Sequence, residues 1–218
     1  MSKKYIIFDL DGTLIDTLHD LTEAVNFGLS KYGYPKQTLK YVEAAIGDGV
    51  ETLIKRCIPN GIDNKDYLNV LESFREYYQT HYAVFTRAYE NTYDTLLSLK
   101  GSGYKLAVVT NKIDSLAIKL IDKFFYGIFD VVVGARATRR KKPHRETMDI
   151  ALKELGVEDI KECIYIGDTD VDYKFAVNTN MDLIFVSYGY RSKEYLKNID
   201  ESVLIIDDFI ELRKIFIK

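Results

Sequence analysis

Cysteine is scarce in this chain. Cys57 and Cys163 are the only two among 218 residues, far apart and without CxxC spacing. A disulfide framework and a structural zinc site are therefore excluded, and both residues read as small buried apolar side chains. Long apolar runs are also missing. Tyr5–Phe8 is too short for a signal-peptide core, and no stretch approaches the roughly 18 apolar residues of a membrane span. A soluble, cytoplasmic protein with no membrane partner is expected. There is no basic excess either: the formal net charge is -3 and the pI is near 5.7, which argues against nucleic acid as a partner. No GxGxxG follows the first apolar run, so a dinucleotide-binding reading fails. Internal repeats, low-complexity tracts and long linkers are absent as well.

What is present begins with YIIFDLDGTLIDT, residues 5–17. Tyr5–Phe8 has the apolar character of a buried strand, yet it ends in Asp9 and Asp11, just before Gly12. After Asp16 the pattern turns helical. Leu18, Leu21, Val25, Leu29 and Tyr32 recur at three- and four-residue steps, and Gly33 with Pro35 closes the element. Further helices are expected at about Lys40–Ile46, Val50–Ile58 and Lys65–Ala83, separated by Gly47, Gly49 and the Pro59-Asn60-Gly61 turn.

From Tyr89 onward strands and helices alternate. The expected strands are 105–109, 129–133, 163–166, 183–186 and 203–206. The helices between and after them are expected near 93–100, 115–125, 146–155, 171–179 and from Asp207 onward. This pattern predicts an α/β fold, a Rossmann-like parallel sheet flanked by helices. The expected domains are an α/β core of residues 1–15 and 87–218 and an inserted helical domain of residues 16–86.

In an open parallel sheet, ligands bind beyond the carboxyl ends of the strands. Four polar clusters fall there: Asp9–Thr13, Thr110-Asn111-Lys112, the basic run Arg139–Lys142 before Pro143, and Gly167–Asp172. A lone DxD after a strand reads equally well as a solvated loop. A second acidic cluster after another strand changes the balance, because converging carboxylates must be relieved by protonation or by a cation. Carboxylate oxygens with room for water suit Mg2+.

FDLDGTLIDT, VVTNK, a lysine before proline and GDTDVD, in that order and each after a strand, resemble the four motifs of the haloacid dehalogenase superfamily of phosphohydrolases. The resemblance spans Phe8 to Asp172. It implies that Asp9 is the nucleophile and Asp11 the general acid and base, with Gly12 in the same substrate-binding loop. Thr110 and Asn111 would donate to the phosphoryl group, and Lys142 would neutralise it, with Lys141 as a rival. Mg2+ would be held by Asp9, Asp11 through its carbonyl, and Asp168, with Asp172 supporting directly or through water. Asp170 reads as a first-turn acid complementing a helix dipole.

The helical insertion occupies the position of that family's cap. IGDGVETLIKR, SYGYR and VVTNK are similar to phosphoglycolate phosphatases, and a small phosphorylated metabolite is the implied partner. Arg56 or Lys55 could meet a substrate carboxylate. His19, Tyr82 and Phe85 read as packing residues. A phosphomutase of the β-phosphoglucomutase type is an alternative, which Thr13 disfavours because those relatives tend to have valine there. A phosphatase acting on pyrophosphate or nucleoside monophosphates is another. Departures from the family pattern are Tyr89-Glu90-Asn91 for Tyr-Pro-Gly, Asn180 where glycine is usual, and Arg145 for a second proline. The oligomeric state is not legible.

Overall fold

The structure, a computed structural model, describes residues 3–217. It divides into two compact units. One joins the segment up to Ile15 to the chain from Ala88 onward, and the other is Asp16–Arg87.

The element order is β1 (Tyr5–Phe8), β2 (Ile15–Asp16), α1 (Leu18–Lys31), α2 (Leu39–Ala45), α3 (Val50–Cys57), α4 (Tyr67–His81) and β3 (Arg87–Ala88). It continues with α5 (Thr92–Gly101), β4 (Lys105–Ile113), α6 (Asp114–Phe125), β5 (Val131–Ala135), α7 (Glu146–Leu155), β6 (Cys163–Gly167) and α8 (Asp170–Thr179). The chain closes with β7 (Asp182–Val186), α9 (Lys193–Ile199), β8 (Leu204–Ile206) and α10 (Glu211–Phe216). The two-residue strands β2 and β3 pair as a separate small sheet.

In the first unit, six parallel strands run in the order β5-β4-β1-β6-β7-β8, flanked by helices, which is the Rossmann-like α/β class expected from the alternating pattern. β1 is central because it is apolar throughout and can be covered on both faces. Side chains alternate across it. Ile7 faces a buried cluster with Val109, Val133, Met148, Tyr165 and Phe175, while Phe8 stacks on Phe209 and meets Phe129 edge-on. Each such buried side chain contributes about 1.5–3 kcal/mol. The register pairs Phe8 with Val108 on one side and Ile166 on the other. β1 and β6 therefore end nearly level, and the polar residues that follow them share a rim with Thr110, Asn111 and Lys112, which lie just beyond Val108 in β4.

Some element boundaries differ from expectation. β5 starts at Val131 rather than Phe129, because the Phe129 ring is used in edge-on packing against Phe8 and Phe125. β4 runs on through Thr110, Asn111 and Lys112 to Ile113. The last helix starts at Glu211, whose carboxylate accepts the Asp207 and Asp208 N–H groups and holds those residues in the preceding turn. Helix α9 was not foreseen. Leu196 is its one buried residue, too little apolar periodicity to detect, and Ser192 caps it by accepting from the Tyr195 N–H.

The second unit is helical. α1 packs against α4, burying Leu21, Val25, Leu29, Val70, Leu71 and Phe74. Buried Asp20 is satisfied by the backbone N–H groups of Phe85 and Thr86 and by the Thr86 hydroxyl. His19 packs its ring on Phe85 at 4.1 Å between centroids, a structural use of that histidine. Among the described residues no helix is long and apolar enough to cross a membrane.

Candidate active site

The β1–β6 pairing carries straight into the site, since the Asp9 N–H donates to the Ile166 carbonyl at 2.9 Å. Asp9, Asp168 and Asp172 are all buried, and one carboxylate oxygen of each lies within 4.8 Å of the others. Three carboxylates this close need a cation or a shared proton to relieve their repulsion, and a cation is present. It is Lys142: its Nζ lies 2.8 Å from Asp9 Oδ1 and 2.8 Å from Asp172 Oδ1, and it donates to the Tyr165 hydroxyl at 2.9 Å. Lys142 is only 4% exposed. Lys141, the sequence rival, is half-buried.

Lys142 is held at both ends. Asn111 clasps its main chain, accepting from the Lys142 N–H at 2.8 Å and donating to its carbonyl at 3.1 Å. Tyr165 lies on the same sheet face as Ile7, its register partner, so its hydroxyl reaches the rim from below. That hydroxyl accepts from Lys142 and donates to Asp172 Oδ1 at 2.9 Å. The Asp172 carboxylate is fully engaged. Its second oxygen accepts from the Asp168 N–H, the Thr169 N–H and the Thr169 hydroxyl.

Asp168 is oriented differently. One of its oxygens accepts from the Thr13 hydroxyl at 3.0 Å and the other from the Tyr190 N–H at 2.8 Å. Its neighbours are glycines by necessity. A Cβ on Gly12, which has φ +85°, would collide with the Asp168 carboxylate, and a Cβ on Gly189 would meet both the Gly12 carbonyl and Asp168 Oδ2. The SYGYR turn thus closes over the aspartate, and the Tyr188 hydroxyl donates to the Thr13 carbonyl at 3.0 Å.

Burial pushes the Asp9 carboxyl up to about 6, with the Lys142 charge opposing the shift and Asp172 adding to it. Burial, with Asp172 and Asp9 beside it, holds Asp168 well above the usual carboxylate range. For Asp172 burial acts upward too, but the Lys142 charge and the hydrogen bonds from Lys142, Thr169 and Tyr165 win and hold it low. Burial would lower Lys142, yet Asp172 and Asp9 keep it above its ordinary value and charged.

The donor set fits a hard divalent cation. Asp9 Oδ1 is buried and has no well-directed hydrogen-bond donor, and each Asp168 oxygen has one donor, leaving lone pairs. All-oxygen ligation is the preference of Mg2+.

Asp11 and Thr110 flank this centre. Asp11 is partly buried and accepts from the Lys112 ammonium at 2.9 and 3.2 Å. Thr110 is buried, and its hydroxyl accepts from the Lys112 N–H at 3.2 Å. Arg56 belongs to the second unit. Its guanidinium donates there to the Ala45 carbonyl at 2.8 Å and pairs with Asp48 at 2.6 Å.

Sequence reasoning placed Lys112 in the cluster after β4 and Gly189 in SYGYR without giving either a role, and it did not single out Tyr165 or Asp114. The alternation along β4 could have indicated Lys112, which shares a face with Thr110. Buried Asp114 accepts from the Gly134 N–H and from Arg136 and Arg139, which ties the basic loop to the start of α6. No local signal in the sequence marks that pairing.

Comparison with known proteins agrees with this arrangement. The profile of the haloacid dehalogenase-like hydrolases matches residues 6–186. Phosphoglycolate phosphatase of Aquifex aeolicus is 34% identical over 193 residues, 86% of each chain. That of Neisseria meningitidis is 32% identical over 200 residues, covering 89% of this chain and 85% of the relative. A crystal structure from Lactobacillus delbrueckii subsp. bulgaricus, bearing the provisional name phosphoglycolate phosphatase, superimposes with a TM-score of 0.93 over the full length of both chains at 31% identity. With its acidic centre and buried lysine set on a parallel sheet, the chain belongs to the haloacid dehalogenase-like hydrolases.

Proposed function

We propose that the protein is a Mg2+-dependent phosphatase that hydrolyses a small phosphate monoester of the phosphoglycolate type through an aspartyl-phosphate on Asp9. The observation that carries this reading is the buried Lys142 ammonium shared by Asp9 and Asp172 with Asp168 alongside. A carboxylate attacks a dianionic phosphate only where the charge of that phosphate is masked, and a fixed ammonium at the nucleophile supplies part of the mask.

In the first step an Asp9 oxygen bonds to phosphorus as the ester P–O bond breaks, and Asp11 gives its proton to the departing alkoxide. In the second, Asp11 takes a proton from water, whose oxygen bonds to phosphorus and releases Asp9 and inorganic phosphate. Lys142 and the Thr110 hydroxyl neutralise and orient the phosphoryl oxygens. Asn111 acts by fixing the Lys142 main chain. Asp9, the Asp11 carbonyl and Asp168 would hold Mg2+, and Asp172, saturated by other donors, supports from behind. When bound, the ion supplies charge neutralisation for nucleophile and phosphate alike. We read residues 16–86 as the cap that confers specificity and the cytoplasm as the setting.

The test is phosphate release from 2-phosphoglycolate, pyrophosphate, nucleoside monophosphates and hexose phosphates, with Mg2+ or with chelator. Phosphoglycolate turnover is expected to need Mg2+ and to fall by at least about a thousandfold in Asp9→Asn, the scale set by loss of a nucleophile. Undiminished release by that variant removes the mechanism.

A further inference from the structure

Lys112 is a buried lysine that the mechanism above does not use. Its ammonium lies 2.9 and 3.2 Å from the two oxygens of Asp11, and its side chain is 4% exposed. Burying an ammonium is costly unless it is paired, and here Asp11 supplies the pairing. Lys112 sits at the end of β4, the strand that also carries Thr110 and Asn111 to the rim. Of Arg56 and Lys55, which the sequence suggested for a substrate carboxylate, Arg56 is held within its own unit by Asp48 and the Ala45 carbonyl. The sheet carries a cation of its own beside the general acid, Lys112.

We infer that Lys112 is a specificity-determining residue that pairs with an anionic group one methylene from the ester oxygen, so that the preferred substrates are small phosphate monoesters carrying a carboxylate at that position. The inference rests on the phosphatase reading. To protonate the leaving group, Asp11 must come within hydrogen-bond reach of the ester oxygen. Lys112 is within hydrogen-bond reach of Asp11, so the ester oxygen and the ammonium are at most two hydrogen-bond lengths apart, roughly 6 Å. A carboxylate joined to the ester oxygen through one CH2 spans part of that gap and can meet the ammonium directly. A neutral hydroxymethyl group in the same place gains no ion pair. The same contact keeps Lys112 charge-compensated while Asp11 carries the proton it gives to the leaving oxygen.

The experiment compares 2-phosphoglycolate with 2-hydroxyethyl phosphate, its neutral counterpart, in the wild type, Lys112→Met and Lys112→Arg with Mg2+ present. Wild type is expected to favour phosphoglycolate in kcat/KM by at least about tenfold, the scale of one charge-assisted contact. Lys112→Met is expected to erase that preference, chiefly through KM for phosphoglycolate, and Lys112→Arg to keep most of it. A merely structural or Asp11-positioning role lowers both substrates equally, and an unchanged ratio in Lys112→Met overturns the inference. Calorimetric binding of both esters to Asp9→Asn and to Asp9→Asn/Lys112→Met reads the same preference without turnover; equal preference in the two backgrounds likewise overturns it. Release from neither ester by the wild type counts against the phosphatase reading itself, whereas turnover of both with a Lys112-independent preference refutes only the role of Lys112.

Discussion

Tyr165 shows how much of the site depends on a single hydroxyl. The phenol is fully buried, and burial with the nearby Asp172 and Asp9 charges keeps it protonated. Its oxygen accepts from Lys142 and its proton goes to Asp172. Removing it leaves the ammonium with one fewer partner and Asp172 Oδ1 with one fewer donor, without opening a large void. Tyr165→Phe is expected to lower kcat/KM by about 5- to 30-fold, on the scale of a hydrogen bond to a charged group, and to shift the melting temperature by only a few degrees. Steady-state kinetics beside thermal denaturation check this, and unaltered kinetics would show that Lys142 needs no third partner. Asn180 presents the opposite case, where the family pattern the sequence resembles, with glycine usual at that position, pointed to a left-handed residue; it takes that conformation at φ +57° and closes α8. Asn91 does the same before α5, at φ +60°, which the sequence reading did not anticipate.

At the level of elements, the turn after β7 is the part most sensitive to added bulk. Gly189 lies so close to the Gly12 carbonyl and to Asp168 that a methyl group there must displace one of them. Gly189→Ala is expected to destabilise the fold by about 1–3 kcal/mol, as overpacking does, and to weaken Mg2+ binding because the Tyr190 N–H that orients Asp168 moves with the turn. Chemical denaturation and a Mg2+ titration followed by thermal shift measure the two effects separately. The sequence made the strands and helices of this sheet legible wherever an amphipathic or fully apolar run was long enough, as in β1, β6 and α7. It failed at α9, with its single buried leucine, and at Phe129, whose apolar character serves ring packing. The acidic residues of the site were legible because they follow apolar strands at matching positions. The contacts of Lys112, Tyr165 and Gly189 were not, because they join segments that lie apart in the sequence, Lys112 to Asp11 and Gly189 to Gly12 among them, which local pattern does not encode.

Across the whole molecule, the buried centre gathers three carboxylates around one ammonium, and pH reports on that balance. The folded-state value of Asp9, near 6, stands above its unfolded value of 3.8, so the folded chain binds the extra proton between these limits. The contribution of this group to stability is therefore greatest below 3.8 and is lost as pH rises toward 6 in chelated protein. A divalent ion competes with that proton. The thermal shift produced by a fixed Mg2+ concentration is expected to be large at pH 7.5 and to shrink as pH falls through about 6. A shift independent of pH across that window would place the ion elsewhere than on Asp9 and Asp168.

The central claim is that Asp9 itself takes the phosphoryl group. Acid quench of the Mg2+-loaded enzyme during turnover of 2-phosphoglycolate, followed by borohydride reduction and peptide mass mapping, tests it most directly. The reduced homoserine mark is predicted at position 9 and at no other aspartate. A mark on another residue, or none while phosphate is released in the same burst, would contradict it.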